Sequence, residues 1–182
     1  MRWMWIDRVV ELRPREKLVA IKNISLAEEH LHDHFAADPP TSPRGLKALP
    51  IMPMSLILEG MAQTAGILVG HAEDFREKVI LAKINRAELT RDATPGCTLR
   101  YTAIIERMDA VGASTKGTVE LLDHAKPADG FVTIGAIDLM FSHLDQNQGG
   151  AGRTGEGFPE HNFVFGEGFK TLLRTSGVAM PD

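Results

Sequence analysis

The sequence predicts an α+β fold in which one long buried helix is followed by an antiparallel sheet. Residues Met54 to Gly70 are apolar on nearly every side over a helical length, which is typical of a helix enclosed by its own protein. After Pro95-Gly96 the pattern changes to partial alternation over three successive segments, which indicates strands joined by turns. The 182 residues, 43% of them hydrophobic, suffice for one ordinary globular core.

Composition excludes several classes of protein. The 20 Lys and Arg against 24 Asp and Glu give a net charge of −4 without a long basic run, so neither nucleic acid nor an anionic membrane is an expected partner. The single cysteine, Cys97, excludes a disulfide scaffold and a Cys-based zinc cluster and favours a reducing, cytoplasmic compartment. The sequence shows neither a signal peptide nor an apolar run long enough to cross a membrane.

The first half of the chain contains one predicted strand, a histidine-rich stretch and a loop. Lys17 to Ile24 places apolar residues on both faces of a short segment, as in a strand. The stretch from Glu28 to Phe35 contains three histidines. It is followed by a loop with five prolines between positions 39 and 53, where no regular element is expected because proline interrupts helices and sheet ladders.

The central helix carries two local signals. Ser55 is the candidate N-terminal cap. Ala62, Gly66 and Gly70, spaced four apart, form a narrow stripe that another backbone could approach closely. Each helical glycine costs about 1 kcal/mol relative to alanine, so this stripe predicts tight packing.

The second half predicts an antiparallel meander and a tail. The strands are expected at Cys97 to Glu106, Ser114 to Leu122 and Phe131 to Phe141. We therefore assign residues 1–144 to the folded domain and residues 145–182 to a glycine-rich linker and a tail. That tail holds Phe158, Phe163, Phe165 and Phe169, so it is expected to dock on this subunit or a neighbour.

Glu59 is the strongest anomaly, because an ionised carboxylate inside an apolar helix is expensive to desolvate. Gln63 lies one turn further along the same face. Glu59 is either a catalytic group or the single solvated edge of the helix. Cys97 has no histidine beside it and is interpreted as a small packed residue.

The histidines at positions 30, 32 and 34 alternate, so they would share one face of an extended segment. Without a carboxylate-and-histidine pattern nearby they are a weak zinc signal. No metal site is therefore expected, and a histidine in a polar loop is more often a surface residue than a catalyst.

Five separated elements together resemble the FabZ-type (3R)-hydroxyacyl-acyl-carrier-protein dehydratases. They are Asp7-Arg8-Val9-Val10-Glu11-Leu12, Val19-Ala20-Ile21-Lys22-Asn23, His34-Phe35, Pro50-Ile51-Met52-Pro53, and the helix from Leu58 to Gly66, which contains Glu59-Gly60-Met61-Ala62-Gln63. The resemblance covers roughly residues 3–144.

This resemblance implies a hot-dog fold, a long central helix wrapped by a curved antiparallel sheet, which assembles into homodimers and often into trimers of dimers. It makes His34 and Glu59 the catalytic pair, facing each other across a tunnel between two subunits. The candidate substrate-binding residues are Phe35, Pro53, Met54 and Gln63. The implied partner is an acyl carrier protein or another acyl thioester, and no metal or organic cofactor is implied.

The chemistry of this pair fits dehydration. Removing water from a 3-hydroxyacyl thioester needs a base for the C2 proton and an acid for the departing C3 hydroxyl, roles that suit His34 and Glu59. Backbone N–H groups at the start of the helix would stabilise charge on the thioester oxygen. Related FabA-type enzymes, which also isomerise the double bond, have aspartate at the helix position, so Glu59 favours dehydration alone.

Three departures from the family pattern keep alternatives open. The interval from His34 to Glu59 is 25 positions, about eleven longer than is usual in the family, which a surface loop at Thr41 to Leu49 accommodates at little entropic cost. Met54 replaces a glycine, and Asp33 replaces another. A non-catalytic acyl- or carrier-binding homologue and a hot-dog thioesterase are the competing interpretations.

Overall fold

The computed structural model describes residues 3–32, 36–144, 162 and 164–179. Its six strands form one antiparallel sheet in the order β1-β2-β4-β5-β6-β3. The strands are β1 (Arg8–Arg13), β2 (Lys17–Asn23), β3 (Val79–Leu89), β4 (Cys97–Met108), β5 (Gly112–Asp123) and β6 (Val132–His143). The described helices are α1 (Glu29–His32), α2 (Met54–Ala72) and α3 (Glu167–Thr175), with one 3₁₀ turn at Pro127–Asp129.

Helix α2 is the centre of the core, and its 19 residues pack against five of the six strands. Ile57, Met61, Ile67 and Leu68 are fully buried against the sheet. Burial on most sides explains why the helix is apolar nearly all round. The structure thus confirms the predicted α+β class and the long helix wrapped by an antiparallel sheet.

The start of α2 differs from the expectation. Ser55 is not the cap: Pro53 holds the N-cap position and no side chain caps the helix. Ser55 lies inside the first turn with an exposed side chain. Among the described residues, the first N–H groups of the helix therefore have no side-chain acceptor.

Strands β1 and β3 were not predicted. Both are edge strands, and β3 shows why the alternation signal failed: residues 81–86 are all exposed. They include Leu81 and Ile84 as well as Lys83 and Arg86, so apolar and charged residues do not separate onto two faces. The three strands of the predicted meander are confirmed, and they are longer than predicted by two, three and one residues, respectively.

The described part of the histidine-rich stretch is not extended. Glu29–His32 forms one helical turn, α1, so its backbone lacks the two-residue alternation of an extended segment. The extended arrangement that would bring alternate histidines onto one face is therefore not present in this part of the stretch. No group of three metal-ligating side chains occurs within the described ranges.

The C-terminal tail docks on the protomer through α3 and the residues before it. Phe165, Leu172 and Leu173 are buried in the main core, which confirms docking for this part of the tail. The predicted linker and Phe158 and Phe163 lie outside the described residues.

The glycine stripe is tightly packed at one end only. A Cβ at Gly70 would meet the ring of Phe165 at 2.5 Å, whereas one at Gly66 would meet only Phe141 Cε1 at 3.6 Å. Close packing is therefore confirmed at Gly70 but not at Gly66 within the described protomer. Cys97 is buried, as expected for a packed residue. In the described part of the chain, no helix has the length and apolar character needed to cross a membrane.

Candidate active site

Glu59 lies on a face of α2 that the described residues leave partly open. Its side chain is half-buried, and along the same face Ser55 is exposed and Gly66 is half-buried. These positions recur at the three- and four-residue spacing of one helix face. The sheet and the N-terminal segment cover most of the other sides of α2, so the carboxylate lies in a stripe of the helix that the described residues leave partly accessible.

Gln63 fixes one oxygen of this carboxylate. Its Nε2 donates to Glu59 Oε1 at 3.0 Å and to the carbonyl of Trp3 at 2.9 Å, while its Oε1 accepts the N–H of Trp5 at 2.9 Å. Gln63 is 5% exposed, so these bonds use both donor hydrogens of the amide away from bulk water. Gln63 therefore connects the N-terminal segment to Glu59.

The N-terminal segment, residues 3–6, crosses α2 beside Glu59. The Trp3 ring is 57% exposed and meets the buried Trp5 edge-on, with centroids 5.3 Å apart. Trp5 in turn packs against the ring of His30 at 4.9 Å. The segment thus joins α1, which leads to His34, to the helix that carries Glu59.

Gly60 allows this close approach of the segment and β4 to the helix. A Cβ at position 60 would lie 2.6 Å from the Tyr101 hydroxyl and 2.9 Å from the Trp5 carbonyl. Tyr101 is fully buried, and its hydroxyl has no hydrogen-bond partner among the described residues. Burial raises the pKa of this hydroxyl, so Tyr101 is a neutral packing group behind the site.

A surface cavity of about 470 Å³ opens at the N-terminus of α2. Leu56 and Ile57 donate their N–H groups to the Pro53 carbonyl, whereas those of Met54 and Ser55 come too early to find an acceptor within the helix. The cavity is lined by Ile51, Met52, Pro53, Met54, Ile57, Leu89, Thr90, Arg91 and Asp92. Two predicted substrate-binding residues, Pro53 and Met54, therefore lie together at this opening.

The structure does not place all the predicted site residues. His34 and Phe35 lie outside the described residues, whereas Glu59, Gln63, Pro53 and Met54 are all on or directly before α2. Trp3 and Trp5 were not predicted as site residues. Two tryptophans in five residues were the available signal, but their contact with Gln63 depends on the tertiary fold.

The predicted insertion is a loop closed on itself around Asp38. The Asp38 carboxylate accepts hydrogen bonds from Ser42 Oγ and Arg44, both at 2.9 Å, and the Asp38 N–H donates to the Leu46 carbonyl at 2.8 Å. Arg44 is therefore already paired within the loop. Leu46 and Leu49 are exposed.

This architecture, a single helix wrapped by an antiparallel sheet with a carboxylate on its open face, defines a protein of the hot-dog class. Residues 2–126 match the model of the FabA-like domain. The 3-hydroxyacyl-acyl-carrier-protein dehydratase FabZ of Clostridium kluyveri is 30% identical over 146 residues, which cover 80% of this chain and 88% of that protein. The FabZ dehydratase of Listeria monocytogenes is 33% identical over 121 residues, 65% of this chain and 76% of that protein.

Solved structures agree on the fold. The dehydratase heterocomplex ApeI:P from Xenorhabdus doucetiae matches with a TM-score of 0.55 at 15% identity, over 78% of this chain and 83% of that one. An acyl-CoA hydrolase from Agrobacterium tumefaciens matches with a TM-score of 0.52 at 13% identity, over 74% of this chain and 45% of that one. The chain belongs to the FabA-like family as a FabZ-type dehydratase, which makes it a hydro-lyase.

Proposed function

We propose that this protein dehydrates (3R)-hydroxyacyl thioesters carried on acyl carrier protein to trans-2-enoyl thioesters in fatty acid biosynthesis. The observation that supports it most strongly is Glu59, held by Gln63 on the accessible face of α2. A fixed carboxylate on an accessible helix face can hold or deliver a proton to a departing hydroxyl. The test is conversion of a (3R)-hydroxyacyl thioester to its enoyl form, read as the gain in ultraviolet absorbance of the conjugated thioester.

In the proposed mechanism His34 removes the C2 proton and Glu59 protonates the C3 hydroxyl, directly or through a water molecule. The C3–O bond breaks as the C2–C3 double bond forms, and the protonated hydroxyl leaves as water. The N–H groups of Met54 and Ser55 stabilise negative charge on the thioester oxygen, which the positive end of the helix dipole also favours. Phe35, Pro53 and Met54 bound the substrate, and Gln63 orients Glu59.

We further propose a homodimer, and a trimer of dimers as a higher assembly. Strand β3 supports this homodimer. It is an 11-residue edge strand, and its central residues 81–86 are exposed on both faces of the sheet. An edge of this length presents unpaired backbone groups that a second copy can pair with. The open face of α2, with Glu59 and Gly66, is the other surface that a partner would cover.

Gly66→Leu tests this dimer. Within the described protomer a Cβ at position 66 meets only Phe141, at an ordinary contact distance, so we expect the variant to keep its circular dichroism spectrum. If a second subunit covers this face, the added side chain overpacks the contact at a cost of about 1–3 kcal/mol. The mass measured by light scattering should then fall from dimer towards monomer. A variant with unchanged mass would contradict the assignment of this face to the interface.

Carrier docking is proposed at the mouth of the site. Acyl carrier proteins are acidic, and positive charge near the mouth could come from Arg44, Lys47, Lys83, Arg86 and Arg91. Three of these are already engaged: Arg44 with Asp38, Arg86 with Glu88, and Arg91 with Asp123 at 3.6 Å. Lys47 is exposed and belongs to the loop around Asp38. Its substitution therefore tests carrier docking without breaking any of these three ion pairs.

Lys47→Glu should raise KM for carrier-bound substrate at low salt by about threefold to tenfold, because rim charges act mainly on association. Turnover of an N-acetylcysteamine thioester should change by less than about twofold, because that small thioester carries no acidic partner. Arg76→Glu, an equal charge change at the opposite end of α2, is the matched control. Equal loss on both substrates would instead mean that the loop shapes the active site.

A further inference from the structure

Helix α3 lies beyond residues 2–126, which the FabA-like model matches, yet it packs close to the candidate site. Its Gly168 lies beside Met4, since a Cβ there would be 3.6 Å from the Met4 sulfur. Ser176, which caps the end of α3, accepts the N–H of Val9 through its Oγ at 3.0 Å. The C-terminal helix therefore covers the N-terminal segment and the start of edge strand β1.

The anchorage of α3 extends to the far end of α2. Phe165 fills the space beside Gly70 and packs edge-on against Phe75, with ring centroids 4.9 Å apart. Asn162 Nδ2 donates to the carbonyls of Phe75 and Glu77 at 2.9 and 3.0 Å. Aromatic packing and two hydrogen bonds thus fix α3 to the core independently of the N-terminal segment.

In the N-terminal segment Trp5 and Ile6 are buried, whereas Trp3 is exposed and Met4 is half-buried. The segment's backbone at Trp3 and Trp5 makes the two bonds that orient Gln63, and Gln63 holds Glu59. Exposed or half-buried backbone, such as that at Trp3 and Met4, opens locally more readily than a fully packed core element. Helix α3, which contacts Met4 and Val9, is therefore placed to keep the Trp3 carbonyl and the Trp5 N–H in position.

We propose that α3 is a positioning element for Glu59, acting through the N-terminal segment and Gln63. This inference rests on the proposed function for its effect on turnover. By holding residues 3–6 against α2, α3 limits the positions that the Gln63 amide and the Glu59 carboxylate can take. A displacement of about 1 Å at a reacting group can lower turnover by up to about 100-fold, so loosening α3 should act on kcat and leave KM nearly unchanged.

The test compares two truncations of buried aliphatic side chains. Leu172→Ala loosens α3, whereas Val79→Ala removes a similarly buried group at the start of β3. We expect Leu172→Ala to lower kcat at least about fivefold with KM within about twofold, and Val79→Ala to leave kcat within about twofold at a comparable loss of thermal stability. Ser176→Ala, a milder change that removes only the acceptor for Val9, is used if Leu172→Ala fails to fold, and should show the same split.

Combination with Gln63→Met shows whether the effect passes through Gln63. Gln63→Met keeps the size of the side chain and removes its hydrogen bonds, so adding Leu172→Ala to it should lower kcat no further. Multiplicative losses, or equal kcat in the Leu172 and Val79 variants, would overturn the proposal.

Amide hydrogen exchange at Trp5 keeps this test separate from the proposed function. Leu172→Ala should accelerate exchange of the Trp5 N–H at least about tenfold more than Val79→Ala does, because only the first variant releases the segment. This holds whether or not the protein turns over a hydroxyacyl thioester. A wild-type protein without turnover would refute the proposed function, whereas unchanged Trp5 exchange in Leu172→Ala would refute the role of α3.

Discussion

Glu59→Gln should lower kcat for dehydration by about 10²–10⁴-fold, because it removes the ionisable group while almost preserving side-chain volume. Gln63 can still hydrogen-bond to the new amide oxygen, so the helix and the proposed dimer should remain folded. His34→Ala should cause a loss of the same order by removing the proposed base. Wild-type rates in either variant, measured on a (3R)-hydroxyacyl thioester, would refute the assignment of that residue.

Mixing the two inactive variants tests whether each site is shared between subunits. If His34 of one subunit works with Glu59 of its partner, a dimer of one His34→Ala and one Glu59→Gln protomer contains one intact site. Random pairing of equal amounts should then restore about a quarter of wild-type activity. Recovery below a few per cent, with mixed dimers verified by mass, would place both residues of each site in one subunit.

Gly60→Ala should lower the free energy of unfolding by about 2 kcal/mol, because an overpacking cost of up to about 3 kcal/mol exceeds the roughly 1 kcal/mol that alanine gains in a helix. The new Cβ would lie 2.6 Å from Tyr101 and 2.9 Å from the backbone of Trp5. The melting temperature should fall by about 4–8 °C for a chain of this size. The variant should also lose activity, since relief of the clash displaces Trp5 and hence Gln63.

Two further variants control for this effect. Gly168→Ala makes the same change in α3, where the nearest atom would be 3.6 Å away, so its melting temperature should stay level or rise. Tyr101→Leu introduced together with Gly60→Ala removes the ring from the crowded position and should recover part of the lost stability. A Gly60→Ala protein as stable as wild type would show that β4 and the N-terminal segment do not press on the helix.

Much of the fold could be predicted from the sequence because burial leaves a local pattern. Helix α2 is enclosed on most sides and is apolar accordingly, and strands β4 to β6 alternate in part. Edge strand β3 was not predicted because residues 81–86 are exposed on both faces and therefore show no alternation of apolar and polar residues. Its pairing with β6, far along the chain, is not encoded in a short window.

The candidate site, like the fold, could be predicted from the sequence only in part. Glu59 could be found because a carboxylate in an apolar helix is a local contradiction. The bonds from Gln63 to Trp3 and Trp5 join residues 60 and 58 positions apart, and their formation depends on how β1 enters the sheet. The prediction that Ser55 caps the helix was wrong for a local reason. Pro53 occupies the N-cap position and the helix begins at Met54, so Ser55 lies within its first turn.

Hydration of a crotonyl thioester tests the central claim most directly, because only a dehydratase interconverts enoyl and hydroxyacyl forms. The wild-type protein should convert the substrate to the (3R)-3-hydroxybutyryl thioester, with loss of the conjugated absorbance and no release of free thiol, and Glu59→Gln should not. Release of thiol would identify a thioesterase. Binding of the thioester without either reaction would identify a non-catalytic homologue, and either result would contradict dehydration as the activity of this protein.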